Sequence, residues 1–284
     1  MPHFRIDRVL TLKLFKALAG KRAATGPRIP ILMYHSISYD EGPSTEKKHP
    51  YYATTTTPPV FRRHLQILRQ MGYHSIGLGE AAEILQKGLR PSRPAVAITF
   101  DDGFRDFYHE AFPLLKQYGF SATMFLPTRY ISNSGKTFLG RPMLSWGQVR
   151  ELQKEGMRFG SHSVTHRKLV RLGCEELLEE LEMSRREIED QTGVEVNSFS
   201  YPYALPDQNK GFLSMLGKLL RQAGYCQGVS TRIGVATPKD PVYFLKRIPV
   251  NRWDDDVFFR SKLSGAYDWV FGFQKIYKKL KGSS

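Results

Sequence analysis

Apolar runs along this chain are short, end in polar residues, and alternate with longer stretches of helical period. Ile31-Leu-Met-Tyr-His35 reads as a buried strand that ends on a polar side chain, and Ala95-Val-Ala-Ile-Thr-Phe100 as a second that leads directly into Asp101. Ala122 to Leu126 is another apolar strand, Met157 to Gly160 a short one before His162, and further strands are expected near 197–201, 225–229 and 243–248. Between them, Phe61 to Met71, closed by Gly72, has the period of a helix, as does Phe104 to Tyr118 before Gly119. Ser145-Trp-Gly-Gln148 fits a capping box that opens a helix to Glu155, with Gly156 after it. Helices are also expected over 174–191, before Gly193, and over about 211–223, while 38–58 reads as a polar loop.

Strand and helix alternate about seven times, which predicts parallel strands with crossover helices. Periodicity alone leaves a closed barrel and an open doubly wound sheet equally available. It does fix location: Asp101, His162, His35 and the Tyr201-Pro-Tyr203 segment all follow strands, and in either architecture such positions share one face.

Composition adds a soluble-protein core and an uneven charge. With 41% hydrophobic residues in 284, the chain can bury a sizeable interior, and Cys174 and Cys226 have no metal or redox spacing. The net charge of +15 is concentrated at the ends, with +6 in residues 1–30 and +5 in 258–284. Both ends carry apolar residues at helical spacing: Phe4, Val9, Leu10, Leu14 and Leu18 at one, and Val270, Phe271, Phe273, Ile276, Tyr277 and Leu280 at the other. Such helices can lie on an anionic membrane surface, or pack on the domain with a solvated basic face. No recognition motif accompanies the charge, so nucleic acid is not expected as a partner. Lys13 and Lys16 interrupt the N-terminal apolar run, so a signal peptide is not expected. With no run near the roughly 20 apolar residues of a membrane span, a cytoplasmic protein, peripheral to the membrane at most, is the expectation.

Two short motifs carry the chemistry, Thr99-Phe-Asp-Asp-Gly103 and His162-Ser-Val-Thr-His166. Adjacent carboxylates in an extended segment point different ways and can take different tasks. Two histidines four apart converge on one ion if the segment turns helically. Two imidazoles and one carboxylate hold a divalent metal with positions left open, and the second carboxylate remains as a base.

These residues resemble the polysaccharide deacetylase family, the NodB-homology enzymes of carbohydrate esterase family 4. The similarity covers most of 30–265: Thr-Phe-Asp-Asp-Gly at 99–103, His-Ser-x-x-His at 162–166, and Tyr-Pro-Tyr at 201–203, which looks like a third family motif. Leu32-Met-Tyr-His35 and the run Phe61…His64-Leu…Leu68…Gly72-Tyr73 resemble the branch containing biofilm poly-N-acetylglucosamine deacetylases. The resemblance implies a deformed (β/α)7 barrel, formed here by one domain over 30–265 between a basic amphipathic segment, 1–29, and a basic amphipathic helix, 266–284. It implies that Asp102, His162 and His166 bind one divalent metal, zinc first with cobalt or nickel as alternatives, and that Asp101 is the general base. It also implies a metal-dependent removal of N-acetyl groups from amino sugars, with an oxyanion stabilised by the metal and the backbone N–H of Tyr203. The partner is then an N-acetylated glycan or a lipid-linked amino sugar, with peripheral contact to anionic membrane as a further expectation.

The chain departs from the family pattern in two places. Its eight histidines end at 166, so the late general-acid His is absent, and His35 is the preferred substitute because it ends the first strand. The third motif lacks the Arg that orients the base. Arg247 is a candidate replacement, although a packing or surface role is the more ordinary reading for such a residue. The missing acid also supports an alternative in which the chain is a carbohydrate-binding pseudoenzyme that keeps the metal site without turnover. Trp146 is a candidate sugar platform or a core residue, and the acidic run Glu175–Glu182 is expected to be a solvated helix face.

Overall fold

The computed structural model describes residues 6–15, 26–40 and 55–274. In chain order the strands are β1 (Ile31–Tyr34), β2 (His74–Ser75), β3 (Ala95–Phe100), β4 (Thr123–Leu126), β5 (Thr137–Phe138), β6 (Arg141–Pro142), β7 (Arg158–Ser161), β8 (Ser198–Ser200), β9 (Gln227–Ile233) and β10 (Leu245–Pro249). The α-helices are α1 (Ile6–Leu10), α2 (Pro58–Gln70), α3 (Leu78–Gln86), α4 (Phe112–Tyr118), α5 (Trp146–Lys154), α6 (Cys174–Thr192), α7 (Lys210–Gln222) and α8 (Asp256–Leu263).

Seven strands form a closed parallel barrel. The order β1-β10-β9-β8-β7-β4-β3 returns to β1, with Ile31 beside Ala97 on one edge and Leu32 beside Ile248 on the other. Closure decides the question that periodicity left open and bears out the barrel expectation. The barrel is irregular: β2 pairs only with the start of β3, and the β9–β10 register shifts between Leu245 and Arg247. Side chains alternate across each strand, so one parity faces inward. Ile31, Ala97, Phe125, Val229 and Leu245 form an inner cluster with Leu78, Ala81, Ala82 and Leu85 of α3. Helix α3 therefore plugs the N-terminal end of the barrel. Fully burying each of its two leucines is worth about 1.5–3 kcal/mol. The opposite parity, including Leu32, Ile98, Met124 and Ile248, packs outward against apolar stripes of the helices such as Leu65, Leu68, Leu115, Leu152, Leu181 and Leu216.

The expected helices form, with local differences. The capping box at Ser145 and Gln148 is present, and α4 and α6 end on left-handed Gly119 and Gly193. The stretch from Phe104 is broken: residues Phe107–Ala111 make a π-helical turn before α4 begins. Helices α3 and α8 and the β5–β6 hairpin were not expected. The C-terminal segment runs through turns at 264–269 and becomes helical at 270–274, and the rest of the expected helix, 275–284, lies outside the described residues. So do Phe4 and Leu18 of the N-terminal segment and residues 41–54 of the loop.

The two ends pack together. Trp269 Nε1 donates to Thr11 Oγ1 at 3.0 Å, Phe15 stacks on Trp269 at 5.0 Å, and Tyr267 bonds Asp7. No helix among the described residues is long and apolar enough to cross a membrane.

Candidate metal centre and catalytic face

The inward parity places the polar ends of the strands in one ring at the C-terminal mouth of the barrel. His35 follows β1, Asp101 follows β3, His162 follows β7, Ser200 ends β8, and Arg247 lies in β10. The ladder continues beyond the strands to hold them: Asp101 N–H donates to Tyr34 O, and His162 N–H to Leu126 O.

Asp102 turns away from this ladder with φ 76°, and Gly103 follows at φ 71°. A Cβ on Gly103 would lie 3.0 Å from both Leu126 Cδ2 and Ile131 Cδ1, so the tight turn needs glycine there. The two carboxylates are thus separated by a left-handed turn rather than by extended alternation. The histidines converge differently from expectation as well. Residues 162–166 are not helical; left-handed Ser163 (φ 63°) and His166 (φ 53°) bring the two imidazoles together. Asp102, Ser163, His166 and Tyr203 are four of the five non-glycine residues with positive φ among those described. Such conformations cost about 1–3 kcal/mol each and persist where the surroundings impose them, often at functional sites.

The surroundings are identifiable. Glu180 of α6 accepts from the N–H groups of Val164 and Thr165 and from Thr165 Oγ1, so its carboxylate pins the loop between the histidines. Burial raises its pKa, but the hydrogen bonds and Arg167 outweigh that and hold it below the usual range. Glu180 is 5% exposed, so the acidic run is not wholly a solvated face. Ser163 Oγ receives His166 N–H at 3.0 Å.

His162 Nε2 lies 3.5 Å and His166 Nε2 3.3 Å from Asp102 Oδ1, and the three ligand atoms fall within 4.8 Å of one another. His162 Nδ1 donates to Ser200 O at 2.7 Å, which turns the Nε2 lone pair toward Asp102. Both oxygens of Asp102 are buried with no ordinary hydrogen bond among the described residues. A buried carboxylate in that state is costly unless a cation faces it. Burial pushes Asp102 up, but His162 and His166 hold it well below the ordinary carboxylate range. The donor set therefore fits a divalent cation.

Asp101 is held separately. Arg247, fully buried, donates through Nη1 and Nη2 to its two oxygens, and Ser200 Oγ donates to Oδ1 at 3.2 Å. Burial again pushes up, while Arg247 and His162 prevail and keep Asp101 below its usual range. The ordinary reading of Arg247 as a packing or surface residue does not hold.

His35 is half-buried within electrostatic reach of Asp102, Asp101 and His162; burial lowers its pKa, and the two carboxylates offset this only in part. Tyr203, 39% exposed, sets its ring 4.8 Å from that of His166, and Phe138 of the hairpin approaches the same imidazole at 5.1 Å. Trp146 is 5% exposed and belongs to the core, away from any sugar platform. His64 is structural, stacked on Phe259 and bonded to Tyr34 and to Asp254 O.

A closed parallel barrel whose C-terminal mouth gathers a cation-ready Asp–His–His set beside a second ionised carboxylate can activate water, the chemistry of hydrolases. A family model described as "Polysaccharide deacetylase" matches residues 88–225. The Bacillus subtilis (strain 168) protein named "Putative polysaccharide deacetylase YxkH" is 31% identical over 224 residues, 79% of this chain and 72% of that protein. A poly-beta-1,6-N-acetyl-D-glucosamine N-deacetylase of Staphylococcus aureus (strain N315) is 26% identical over 209 residues, 70% of this chain and 67% of that one. Among solved structures, Streptococcus pyogenes deacetylase PplD in complex with acetate matches with a TM-score of 0.72 and 26% identity over 84% of this chain and 99% of that one. The chain belongs to the polysaccharide deacetylase family and is a hydrolase acting on carbon–nitrogen bonds other than peptide bonds.

Proposed function

We propose that this protein removes N-acetyl groups from amino sugars of a bacterial exopolysaccharide of the poly-N-acetylglucosamine type, using one divalent metal held by Asp102, His162 and His166. The observation that carries the reading is the convergence of those three buried ligands next to a carboxylate that Arg247 keeps ionised. Residues 30–265 form the catalytic unit.

The ion, zinc first among the candidates, would polarise the acetamide carbonyl and acidify a water beside it. Asp101 accepts the proton of the attacking water, and Arg247 fixes the orientation in which it does so. The backbone N–H of Tyr203 donates to the carbonyl oxygen as it gains charge; Pro202 has no N–H to offer. His35 supplies the proton that the departing amine requires, in place of a late histidine. Tyr203 and Phe138 flank His166, giving the mouth apolar walls against which a sugar ring can lie.

Acetate release from N-acetylglucosamine oligomers, measured with added Zn²⁺ and with chelator, tests the reading. Metal-dependent release is expected. Saccharide binding without release by metal-loaded protein would instead favour the pseudoenzyme.

The proposal extends to contact with an anionic membrane surface. Leu14 is 58% and Phe273 60% exposed on the two ends that pack together through Trp269, and those ends carry most of the net charge. Salt-sensitive sedimentation with anionic vesicles, lost on removing the ends, is the expected result; sedimentation that is absent or insensitive to salt counts against it.

A further inference from the structure

At the end of the barrel opposite Asp102 lies a cavity of about 360 Å³. Its wall consists of the N-terminal ends of β4, β7, β8 and β9, the C-terminal ends of α5 and α6, and the first turn of α3. The inward parity that carries Asp101, His162 and Ser200 to the top carries Thr123, Arg158, Ser198 and Gln227 to this cavity. Thr123, Ser198 and Gln227 are 4%, 7% and 7% exposed, and their side chains have no hydrogen-bond partner among the described residues.

What these groups face is the positive end of a helix. Helix α3 starts after Gly77, which has no side chain to cap it, and the first of its N–H groups to be accepted is that of Ala81, by Gly77 O. The N–H groups of Leu78, Gly79 and Glu80 therefore open toward the cavity they line. Gln227 Nε2 lies 3.5 Å from the place a Cβ on Gly79 would occupy, so the unpartnered amide is beside this turn. Arg158 lies across it too: its Nε is 3.0 Å from the corresponding point on Gly77, and its Nη1 donates to Ser121 Oγ. A guanidinium against a helix N-terminus is repulsive until an anion joins them. Two carboxylates line the cavity, but Glu195 is paired with Arg185 at 3.2 Å, and Glu80 makes no ion pair with Arg158.

We propose that this cavity binds a small phosphate-bearing molecule. The phosphate oxygens are received by the first turn of α3 and by Arg158, and Gln227, Ser198 and Thr123 bind the remaining polar atoms. The volume is near the lower bound of small-molecule sites, about 300 Å³, and the cavity lies at the opposite end of the barrel from Asp102. The site is thus separate from the deacetylase mouth, and it does not depend on the catalytic reading.

Calorimetry on the full-length, chelator-treated protein tests the assignment, with inorganic phosphate in one arm and glucose 6-phosphate in the other. Saturable one-to-one binding is expected, weakened at least about tenfold in both Arg158→Gln and Gln227→Leu, while acetate release by the metal-loaded variants is unchanged. Tighter binding of glucose 6-phosphate identifies an extended phosphorylated ligand; equal binding identifies the phosphate group alone. In phosphate-free buffer Gln227→Leu unfolds at a temperature close to that of the parent, because the replaced side chain makes no hydrogen bond among the described residues. Absence of saturable binding in both arms, or binding that neither substitution weakens, overturns the proposal.

Discussion

Arg247 holds Asp101 by both carboxylate oxygens, Nη1 to Oδ1 and Nη2 to Oδ2, at 2.7 Å each. The partners are 146 residues apart, and they meet because β3 and β10 both flank β1 in the closed barrel and both side chains face inward. The pair explains how a buried carboxylate stays ionised. With Arg247→Met, burial acts on Asp101 with less opposition, so its pKa rises and the acid limb of kcat/KM moves upward by about one unit or more. Breaking a buried pair also costs about 3–5 kcal/mol, so Arg247→Lys, which keeps the charge, is the companion variant. It should fold and show a smaller shift. A pH–rate profile unchanged in both variants would show that Asp101 is not the titrating base.

Among the described residues, the side-chain nitrogens within 4.0 Å of the buried Asp102 oxygens are those of His162 and His166. Asp102→Asn keeps the shape and deletes the charge, and metal affinity should fall by more than about 100-fold, beyond the range of outer-shell changes. Elemental analysis after dialysis against limiting Zn²⁺ reads this directly and does not require activity. Retention of one equivalent of metal by Asp102→Asn would remove this carboxylate from the ligand set.

The candidate site was more legible in the chain than the frame that supports it. Asp101 and His162 stand out because each follows a predicted strand, with Asp102 and His166 in the same short motifs, and a strand end has only one place to go in a parallel fold. The way they converge was not legible: the left-handed conformations at Asp102, Ser163 and His166 follow from Gly103 packing under Leu126 and Ile131 and from Glu180 capturing two N–H groups, both long-range contacts. Arg247 was ambiguous for the same reason, since its partner lies across the barrel. Helix α3 escaped notice because Gly77 gives no capping side chain and its apolar positions, Leu78, Ala81, Ala82 and Leu85, are small or few. Its burial comes from plugging the barrel, a demand that only closure creates.

Asp106 supplies a pH signature of stability. It accepts from Ser36 Oγ and from Ile37 N–H, with Arg141 3.7 Å away, yet burial prevails and pushes its carboxyl up from 3.8 to about 6. A raised native pKa means that the protonated form is favoured by folding. That contribution is fully present below pH 4 and is lost as pH rises toward 6. Two units correspond to a ceiling of about 3 kcal/mol. Asp106→Asn imitates the protonated state, so it should flatten the change between pH 4 and 6 and raise the unfolding temperature at pH 7. Parallel pH–stability curves for parent and variant would contradict this.

The barrel interior is filled to the point where one methyl group matters. A Cβ on Gly160 would come within 2.6 Å of Phe125 Cε1 and 2.8 Å of Ser198 Oγ. The Phe125 ring is itself fully buried among the inner cluster and has nowhere to retreat. Gly160→Ala should therefore destabilise by about 1–3 kcal/mol, seen as a lower urea midpoint with an unchanged slope. A midpoint equal to that of the parent would mean that the interior has slack.

In the proposed mechanism His35 carries the remaining chemical step. Its imidazole is half-buried at the mouth, and burial holds its pKa below the ordinary histidine value of 6.5. A general acid works only while protonated, so the alkaline limb of kcat should begin below that value and turnover should fall as pH rises through it. His35→Asn keeps a hydrogen-bonding side chain but cannot deliver a proton across this range. Loss of about 10²- to 10⁴-fold in kcat, with metal content unchanged and the alkaline limb abolished, is the expected outcome. Substrates with a better leaving group separate this from a structural defect: an N-acetylated aniline departs with less need of a proton, so His35→Asn should lose much less on it. Equal losses on both substrates, or near-parental turnover with metal bound, would take the acid role away from His35.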